Sequence, residues 1–360
     1  MDKNFSLYLD LTRFLAAFLV VLSHYSAHGL FGPAVKAAGH NLGRESVMVF
    51  FILSGFVIAW TCAEQALTLR QYVVARSARI YSVALPVLLA AFGAALVAAQ
   101  LPGITVDNAY QLHKLWLYIP LHALFMGDLW TLTETPPWLV PYWSLCYEVW
   151  YYVLFGILYF GRGPWRVLLA AAVLLVMGPK LWLLLPVWLA GVLLYKLRKP
   201  LPITTAQARA GWAVTLAALA LYKIAGLDEL LRTAGGTLWP FPGFALSSAN
   251  RYLADYLVTL IMVPHFMFAR QAQFGALQAF QGPIRALASY TFALYLVHGL
   301  VMGLWEQFVG VAPAGALPLL ALSACIGLAT YACGMFGEHQ RAWLRRRFAA
   351  PRALAAQRLA

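Results

Sequence analysis

An arginine and a histidine stand eleven positions apart in the first apolar stretch of the sequence, LDLTRFLAAFLVVLSHYSAHG at residues 9–29. Eleven steps of about 100° make three turns plus about 20°, so a helix places Arg13 and His24 on one face. At a rise of about 1.5 Å per residue, about 16 Å separates them along the axis. Ionisable residues in such stretches are costly to bury in lipid and usually serve a function. Arg13 and His24 are therefore candidates for chemistry inside a membrane.

The histidine suggests proton transfer. Imidazole is the side chain best suited to accept a proton from a hydroxyl near neutral pH, and a well-placed base typically accelerates a reaction by about 10²–10⁴-fold. Glu148, in PYWSLCYEVWYY, lies about one and a half turns into another apolar stretch, at a depth comparable with His24. Its carboxylate is the candidate to orient the imidazole. The alternative is structural: both residues would then only hydrogen-bond neighbouring helices.

A second pair of arginines, Arg76 and Arg79, lies in the segment ARSARIYS. Guanidinium groups match the oxygen geometry of phosphates, so these residues together with Arg13 could bind a phosphate-bearing substrate. The alternative is that Arg76 and Arg79 only set the membrane orientation of the chain or contact lipid headgroups.

The composition identifies the elements that must position these residues. Of 360 residues, 62% are hydrophobic and 11% are charged, whereas soluble domains are about 25% charged. Apolar stretches recur near the length of about 20 residues that spans a bilayer. The sequence predicts an all-α, polytopic transmembrane bundle of about ten spans, near residues 13–31, 45–62, 81–99, 142–160, 167–179, 181–196, 211–227, 252–270, 287–309 and 316–337.

The net charge of +13 comes from basic residues in short segments between the spans and in the C-terminal tail. This distribution is typical of orientation by the positive-inside rule, and it predicts that both termini are cytoplasmic. We expect one membrane domain at 1–340 and a basic tail at 341–360 that contacts anionic lipids, with no nucleic-acid partner. The apolar segment 115–130 contains His122 and Asp128, and we expect it to be re-entrant or interfacial.

Several motifs follow one another along the chain. Arg13 and His24 enclose ten residues, and FFILSGF follows at 50–56, R-x-x-R at 76–79, WSLCYE at 143–148 and TFALYLVH at 291–298. In this order the set resembles the acyltransferase-3 family of integral membrane O-acyltransferases. The resemblance extends from Leu9 to Glu338. The chain departs from the family pattern at Phe292, where a tyrosine is usual, and in lacking a glycine beside Asp10.

The resemblance implies transfer of an acyl group, by default acetyl, from cytosolic acyl-CoA to a hydroxylated acceptor, which would be a cell-envelope glycan, a lipid-linked glycan or a similar molecule. It implies a bacterial inner membrane, and no metal is expected. Arg13, His24 and Glu148 would be catalytic, and Arg13, Arg76 and Arg79 would bind the CoA. The residues assigned to the substrate cavity are Ser23, Trp143, Tyr295 and His298.

Two routes for His24 and two other functions remain open. The imidazole could deprotonate the acceptor hydroxyl, or it could carry the acyl group as a transient N-acyl imidazole, which would give ping-pong kinetics. A multi-span transporter of a glycan or small polar solute is the main alternative, although no internal repeat is visible. A catalytically silent scaffold is a further alternative.

Overall fold

The computed structural model describes residues 2–27, 42–241, 243–310 and 316–348, and every regular element in them is helical. We number the α-helices of these ranges in chain order. They are α1 Lys3–Ala27, α2 Leu42–Glu64, α3 Leu69–Ala98, α4 Leu115–Ala123, α5 Trp143–Phe160, α6 Gly163–Met177, α7 Pro179–Lys196, α8 Thr205–Ile224, α9 Leu227–Leu238, α10 Tyr252–Gln271, α11 Gln281–Phe308 and α12 Ala316–Phe348. Short 3₁₀ helices are present at Ala109–Lys114, Val140–Tyr142, Ser247–Ala249 and Gly275–Phe280.

Two helices begin with the same reciprocal cap. At the start of α3, the Thr68 side chain accepts a hydrogen bond from the Gln71 backbone N–H, and the Gln71 side chain accepts one from the Thr68 backbone N–H. Thr204 and Gln207 form the same capping box at the start of α8. Because each box satisfies two backbone donors that the helix leaves without partners, it fixes the first turn of that helix.

Seven helices are long and apolar enough to cross a bilayer: α1, α2, α3, α7, α10, α11 and α12. Helices α8 and α9 form an eighth span if they are taken together. The two helices are bent by 67° relative to each other, and Gly226 between them adopts the left-handed conformation. The predicted all-helical membrane fold is confirmed, and the count of about ten spans is not. The two remaining predicted spans, 142–160 and 167–179, correspond to α5 and α6. Helix α6 has 15 residues, and the four tyrosines, two tryptophans and one glutamate of α5 lower its mean hydropathy.

The segment 115–130 does not form a crossing helix. Helix α4 has nine residues, about 14 Å at the usual rise, which is about half the thickness of a hydrocarbon core. The chain then passes through turns to the 3₁₀ helix at Val140–Tyr142 and into α5. This short structure is compatible with the predicted re-entrant or interfacial element.

Helices α2 and α7 approach each other closely. A Cβ atom added to Gly191 would lie 1.9 Å from the carbonyl oxygen of Ile52, and one added to Gly55 would lie 2.2 Å from that of Trp188. Both distances are far below van der Waals contact, so only glycine permits the two backbones to approach this closely. This contact fixes Ser54, beside Gly55, against the interior of the bundle.

Helix α1 packs against α2 and α11, and α12 packs against α11 and α3. Residues near the start of α1 and near the end of α12 line one common cavity, so these two parts of the chain lie at the same end of the bundle. The outward faces of several helices carry exposed apolar side chains, including Leu168, Leu175, Leu221 and Leu328. Such faces suit contact with lipid tails, and with the long apolar helices they identify an integral membrane protein.

Candidate active site

Three adjoining cavities follow one another through the bundle. We call them the vestibule (about 340 Å³), the inner chamber (about 60 Å³) and the outer chamber (about 460 Å³). Arg13 and Arg79 line both the vestibule and the inner chamber, and Val47 and Tyr295 line both the inner and the outer chamber. Asp10 lies in the vestibule and His24 in the outer chamber, fourteen residues further along α1, or about 21 Å.

The inner chamber brings together the three arginines singled out in the sequence. Arg13 enters from α1, and Arg76 and Arg79 enter from α3. Arg13 pairs with Asp10 at 3.6 Å. The Nε atom of Arg76 is buried and has no hydrogen-bond partner among the described residues. A buried donor left in this way is unfavourable unless a ligand or water satisfies it. The chamber thus presents guanidinium donors suited to an anionic or carbonyl-bearing ligand.

Glu148 also lies in the inner chamber, whereas His24 lines the outer chamber. Its carboxylate accepts hydrogen bonds from Ser54, at 2.6 Å, and from Tyr152. The hydrogen bonds of Glu148 join it to Ser54 and Tyr152, and its expected role in orienting the His24 imidazole stays a prediction. Counting residues into a span gives depth only, whereas the rotation of α5 about its axis turns Glu148 towards α2 and the arginines rather than towards the end of α1.

His24 lines the outer chamber together with Ser23. The ring beside it is that of His298 from α11, with the two ring centroids 4.9 Å apart and the planes at 65°. The Nδ1–H of the fully buried His298 donates to the carbonyl oxygen of Leu294 at 2.9 Å, which fixes the orientation of that ring. The structure thus places the His24 and His298 rings side by side, a pairing that the sequence did not predict. His298 was expected to line the substrate cavity, but it is fully buried and is not among the residues that line the three cavities. Residues 28–41, which follow His24 in the sequence, lie outside the described residues, as does the end of the basic tail.

Tyr295 forms the wall between the two chambers, together with Val47 from α2. The Tyr295 hydroxyl donates to the carbonyl oxygen of Pro141 at 3.2 Å and lies 2.7 Å from the Ser144 hydroxyl. These bonds hold the phenol ring between the inner and outer chambers. The predicted cavity residues Ser23, Trp143 and Tyr295 all line the outer chamber.

The outer chamber also holds charged residues that the sequence analysis did not select. Arg44 lies with its guanidinium 4.9 Å from the centre of the Trp143 ring, and both carboxylate oxygens of Asp255 accept its hydrogen bonds. Asp128 accepts from the fully buried Lys180 at 2.7 Å and from Ser248 at 2.9 Å. The partners in each pair are separated by dozens to hundreds of residues, so spacing could not reveal them. The available signals were the two aspartates that interrupt apolar segments, Asp128 in 115–130 and Asp255 in 252–270.

The vestibule adds Arg285 from α11 and Arg341 from α12 to Arg13 and Arg79. In the sequence, the basic residues between the spans and in the tail indicate topology only, and nothing in their spacing singles out Arg285 or Arg341. Their clustering depends on the ends of α1, α3, α11 and α12 meeting at one place, which no local pattern encodes.

Comparison with known proteins identifies the family of the chain. A family profile described as an acyltransferase domain, of the acyltransferase-3 type, matches residues 6–337. No curated protein sequence and no solved structure matches the chain. The matched range includes all three cavities except Glu338 and Arg341 at the rim of the vestibule. The chain therefore belongs to the acyltransferase-3 family and is a membrane acyltransferase.

Proposed function

We propose that the protein transfers an acetyl group from cytosolic acetyl-CoA to a hydroxyl of a cell-envelope glycan or a similar acceptor. The observation that carries the proposal is the order of the three cavities, with arginines at one end and a histidine about 16 Å further along α1. A donor with phosphates needs cationic groups, and the arginines at one end of the series provide them. An acceptor hydroxyl needs a base, and the histidine at the other end provides one.

The donor enters through the vestibule in this proposal. Arg13, Arg76 and Arg79 bind phosphate oxygens or the thioester carbonyl, because guanidinium groups donate paired hydrogen bonds to such oxygens. The inner chamber is much smaller than its neighbours, so it admits the thin pantetheine arm and leaves the bulky nucleotide in the vestibule. Glu148, Ser54 and Tyr152 hold one wall of that passage by their mutual hydrogen bonds.

Chemistry takes place at His24 in the outer chamber. As a general base, His24 accepts the proton of the acceptor hydroxyl while the hydroxyl oxygen of the acceptor attacks the thioester carbonyl carbon. The new C–O ester bond replaces the C–S bond, and the proton passes from His24 to the departing CoA sulfur. His298 orients the His24 ring through their contact. The alternative route forms an N-acyl imidazole on His24 before the acceptor attacks.

The outer chamber suits a hydroxylated acceptor. Its wall carries the hydroxyls of Ser23, Thr133, Thr135, Ser247 and Ser248 and the ring of Trp143. Hydroxyl groups donate and accept hydrogen bonds equally well, and an aromatic ring offers a flat apolar face. The proposal places the outer chamber on the extracytoplasmic side of a bacterial inner membrane and both termini in the cytoplasm, as the basic residues between the spans favour.

The proposal can be tested with membranes from cells that produce the intact protein, no protein, or the variant His24→Ala. Membranes receive acetyl-CoA labelled in the acetyl group, and the O-acetyl esters on surface glycans are measured by NMR and by radiolabel. Ester formation should require the intact protein and should fall to background in His24→Ala.

His113→Ala is the matched control, because His113 is exposed and is not among the residues that line the three cavities. This variant should retain full activity. Equal ester levels in all samples would contradict the proposal, and movement of an acceptor without ester formation would favour a transporter instead.

A further inference from the structure

The vestibule carries an excess of positive charge that the acyl-transfer chemistry does not itself require. It is lined by the guanidinium groups of Arg13, Arg79, Arg285 and Arg341 and by two carboxylates, Asp10 and Glu338. Four cations and two anions give these described groups a formal charge of +2. The cavity lies where α1, α3, α11 and α12 meet, so four separate helices contribute to one basic site.

The carboxylates are already engaged within their own helices. Asp10 pairs with Arg13 at 3.6 Å on α1, and Glu338 pairs with Arg341 at 3.0 Å on α12. The guanidinium groups of Arg79 and Arg285 form no ion pair or hydrogen bond within the part of the chain that the structure describes. The uncompensated donors therefore belong to Arg79, at the junction with the inner chamber, and Arg285, in the vestibule.

The arginines fall into two groups by position. Arg13 and Arg79 line both cavities and so lie at the mouth of the inner chamber, whereas Arg285 on α11 and Arg341 on α12 line the vestibule alone. A ligand with two separate phosphate centres can satisfy both groups at once. Acyl-CoA has this pattern: the pyrophosphate follows the pantetheine arm, and the adenosine ribose carries a further phosphate on its 3′ oxygen.

We propose that Arg285 and Arg341 bind the 3′-phosphate of the CoA adenosine and so select acyl-CoA over donors that lack this phosphate. The inference rests on the proposed use of acyl-CoA as the donor. A phosphate monoester carries a charge of about −1.5 to −2 near neutral pH, and arginine recognises it through paired hydrogen bonds. Acyl groups on dephospho-CoA or on a protein-bound phosphopantetheine arm have no such group, so they lose this contact.

The test measures binding of the full-length protein in phosphatidylcholine nanodiscs to acetyl-CoA and to acetyl-3′-dephospho-CoA by calorimetry. Hydrogen bonds to charged groups are each worth about 1.5–3 kcal/mol, which corresponds to a factor of about 10 or more. The intact protein should therefore bind the dephospho compound at least about tenfold more weakly. Arg285→Gln and Arg341→Gln should weaken acetyl-CoA binding to nearly that level while leaving the affinity for acetyl-3′-dephospho-CoA unchanged.

Arg347→Gln is the matched control, because it removes one positive charge from an exposed position of the same helix α12. It should leave the affinities for both compounds unchanged. Thermal unfolding of each variant establishes that it is folded, and Arg285→Lys should restore part of the discrimination because it restores the charge without the fork of donors.

A phosphate of an anionic lipid is the other source of the same chemistry, and nanodiscs containing phosphatidylglycerol distinguish it. If the arginines bind lipid, phosphatidylglycerol should weaken acetyl-CoA binding and the two CoA compounds should bind alike, which would overturn the inference. Equal affinities in phosphatidylcholine would also overturn it. Absence of binding by either compound would instead remove acyl-CoA as the donor, and the proposed function with it.

Discussion

The imidazole rings of His24 and His298 lie 4.9 Å apart, centroid to centroid, although 274 positions separate them in the chain. His24 lines the outer chamber, and His298 is fully buried with its Nδ1–H directed at the Leu294 carbonyl oxygen. The contact joins the end of α1 to the middle of α11. It gives His24 an aromatic neighbour of fixed orientation, as a base that must point at one substrate atom requires.

We expect His24→Ala to reduce acyl transfer by about 10²–10⁴-fold, the usual contribution of a general base. His298→Gln should reduce it less, by roughly tenfold, because it disturbs the orientation of the ring rather than removing it. The measurement is initial-rate kinetics with acetyl-CoA and isolated membranes.

In the acyl-carrier route, labelled acetyl-CoA alone should label the protein at His24 before any acceptor is added. Similar losses in both variants would argue that the two rings act as one unit.

Glu148→Gln should act on donor binding rather than on the base. The carboxylate bonds Ser54 and Tyr152 in the inner chamber, across from the arginines, and loss of a charged hydrogen bond is worth about 1.5–3 kcal/mol. We expect the KM for acetyl-CoA to rise by roughly tenfold, while the pH profile of kcat keeps its position.

Tyr152→Phe is the companion variant, because it removes one donor to Glu148 and retains the charge. Its effect on KM should be smaller. A displaced pH profile in Glu148→Gln would show that the carboxylate acts on the catalytic base after all.

Val47→Phe should block passage between the inner and outer chambers. Val47 is buried and lines both chambers, so a larger side chain would fill the space beside Tyr295. We expect acyl transfer to fall at least about tenfold, with acetyl-CoA binding retained, because the arginines lie on the donor side. A stability loss of about 1–3 kcal/mol is usual for overpacking.

Val49→Phe is the control, because it overpacks α2 at a buried position that lines neither chamber, and it should retain acyl transfer. Equal losses in both variants would argue against a passage at Val47.

Lys180→Met should destabilise the protein strongly. The ammonium group of Lys180 is fully buried and paired with the almost fully buried Asp128 at 2.7 Å. Removing one partner of a buried pair costs about 3–5 kcal/mol, since it leaves the other charge uncompensated. The double variant Lys180→Met with Asp128→Asn should recover part of the loss. Thermal unfolding of the detergent-solubilised protein measures both effects.

The control breaks an exposed pair. Arg232→Gln removes the partner of Glu229 on the surface of α9, and pairs of this kind contribute little to stability. Its melting temperature should match that of the intact protein. An equally small shift for Lys180→Met would contradict the assignment of a buried, interdependent pair.

Acid should loosen the segment that carries His122. Burial lowers the pKa of His122 to about 4, while an unfolded chain has a histidine pKa of about 6.5. A group whose pKa is lowered on folding contributes full stability above the unfolded value and loses it as the pH falls from about 6.5 towards 4. We expect the melting temperature to fall over this interval, and to fall less in His122→Gln, which does not titrate. The His122 Nε2 lies 3.1 Å from the Gln111 Oε1, and glutamine can keep a hydrogen bond there. The same acid sensitivity in both proteins would assign it to other groups.

The sequence alone predicts the helical membrane class and much of the inner chamber. Hydrophobic composition and stretch length indicate spans directly, and the period of 3.6 residues places Arg13 and His24 on one inward face of α1. Arg76 and Arg79, on one helix and three residues apart, share a face for the same reason. These predictions depend on one helix at a time, which is why they hold.

The relationships between helices could not be predicted in the same way. Depth along α5 suggested that Glu148 meets His24, but the rotation of α5 directs it to Ser54 and Tyr152. The pairs Arg44–Asp255 and Lys180–Asp128 join distant parts of the chain. The predicted count of about ten spans is not confirmed, because α5 and α6 are apolar segments that are short or rich in tyrosine and tryptophan. The packing of one helix against another decides these side-chain contacts, and such packing produces no periodic pattern in the local sequence.

The wall formed by Tyr295 and Val47 has a consequence for the cell. In the proposed reaction only an acyl group of a few atoms crosses that wall, while the nucleotide stays at one face and the acceptor at the other. A membrane that supports a proton gradient cannot tolerate an open aqueous pore. The small passage beside a hydrogen-bonded phenol would let the enzyme modify the outside of the cell without discharging that gradient.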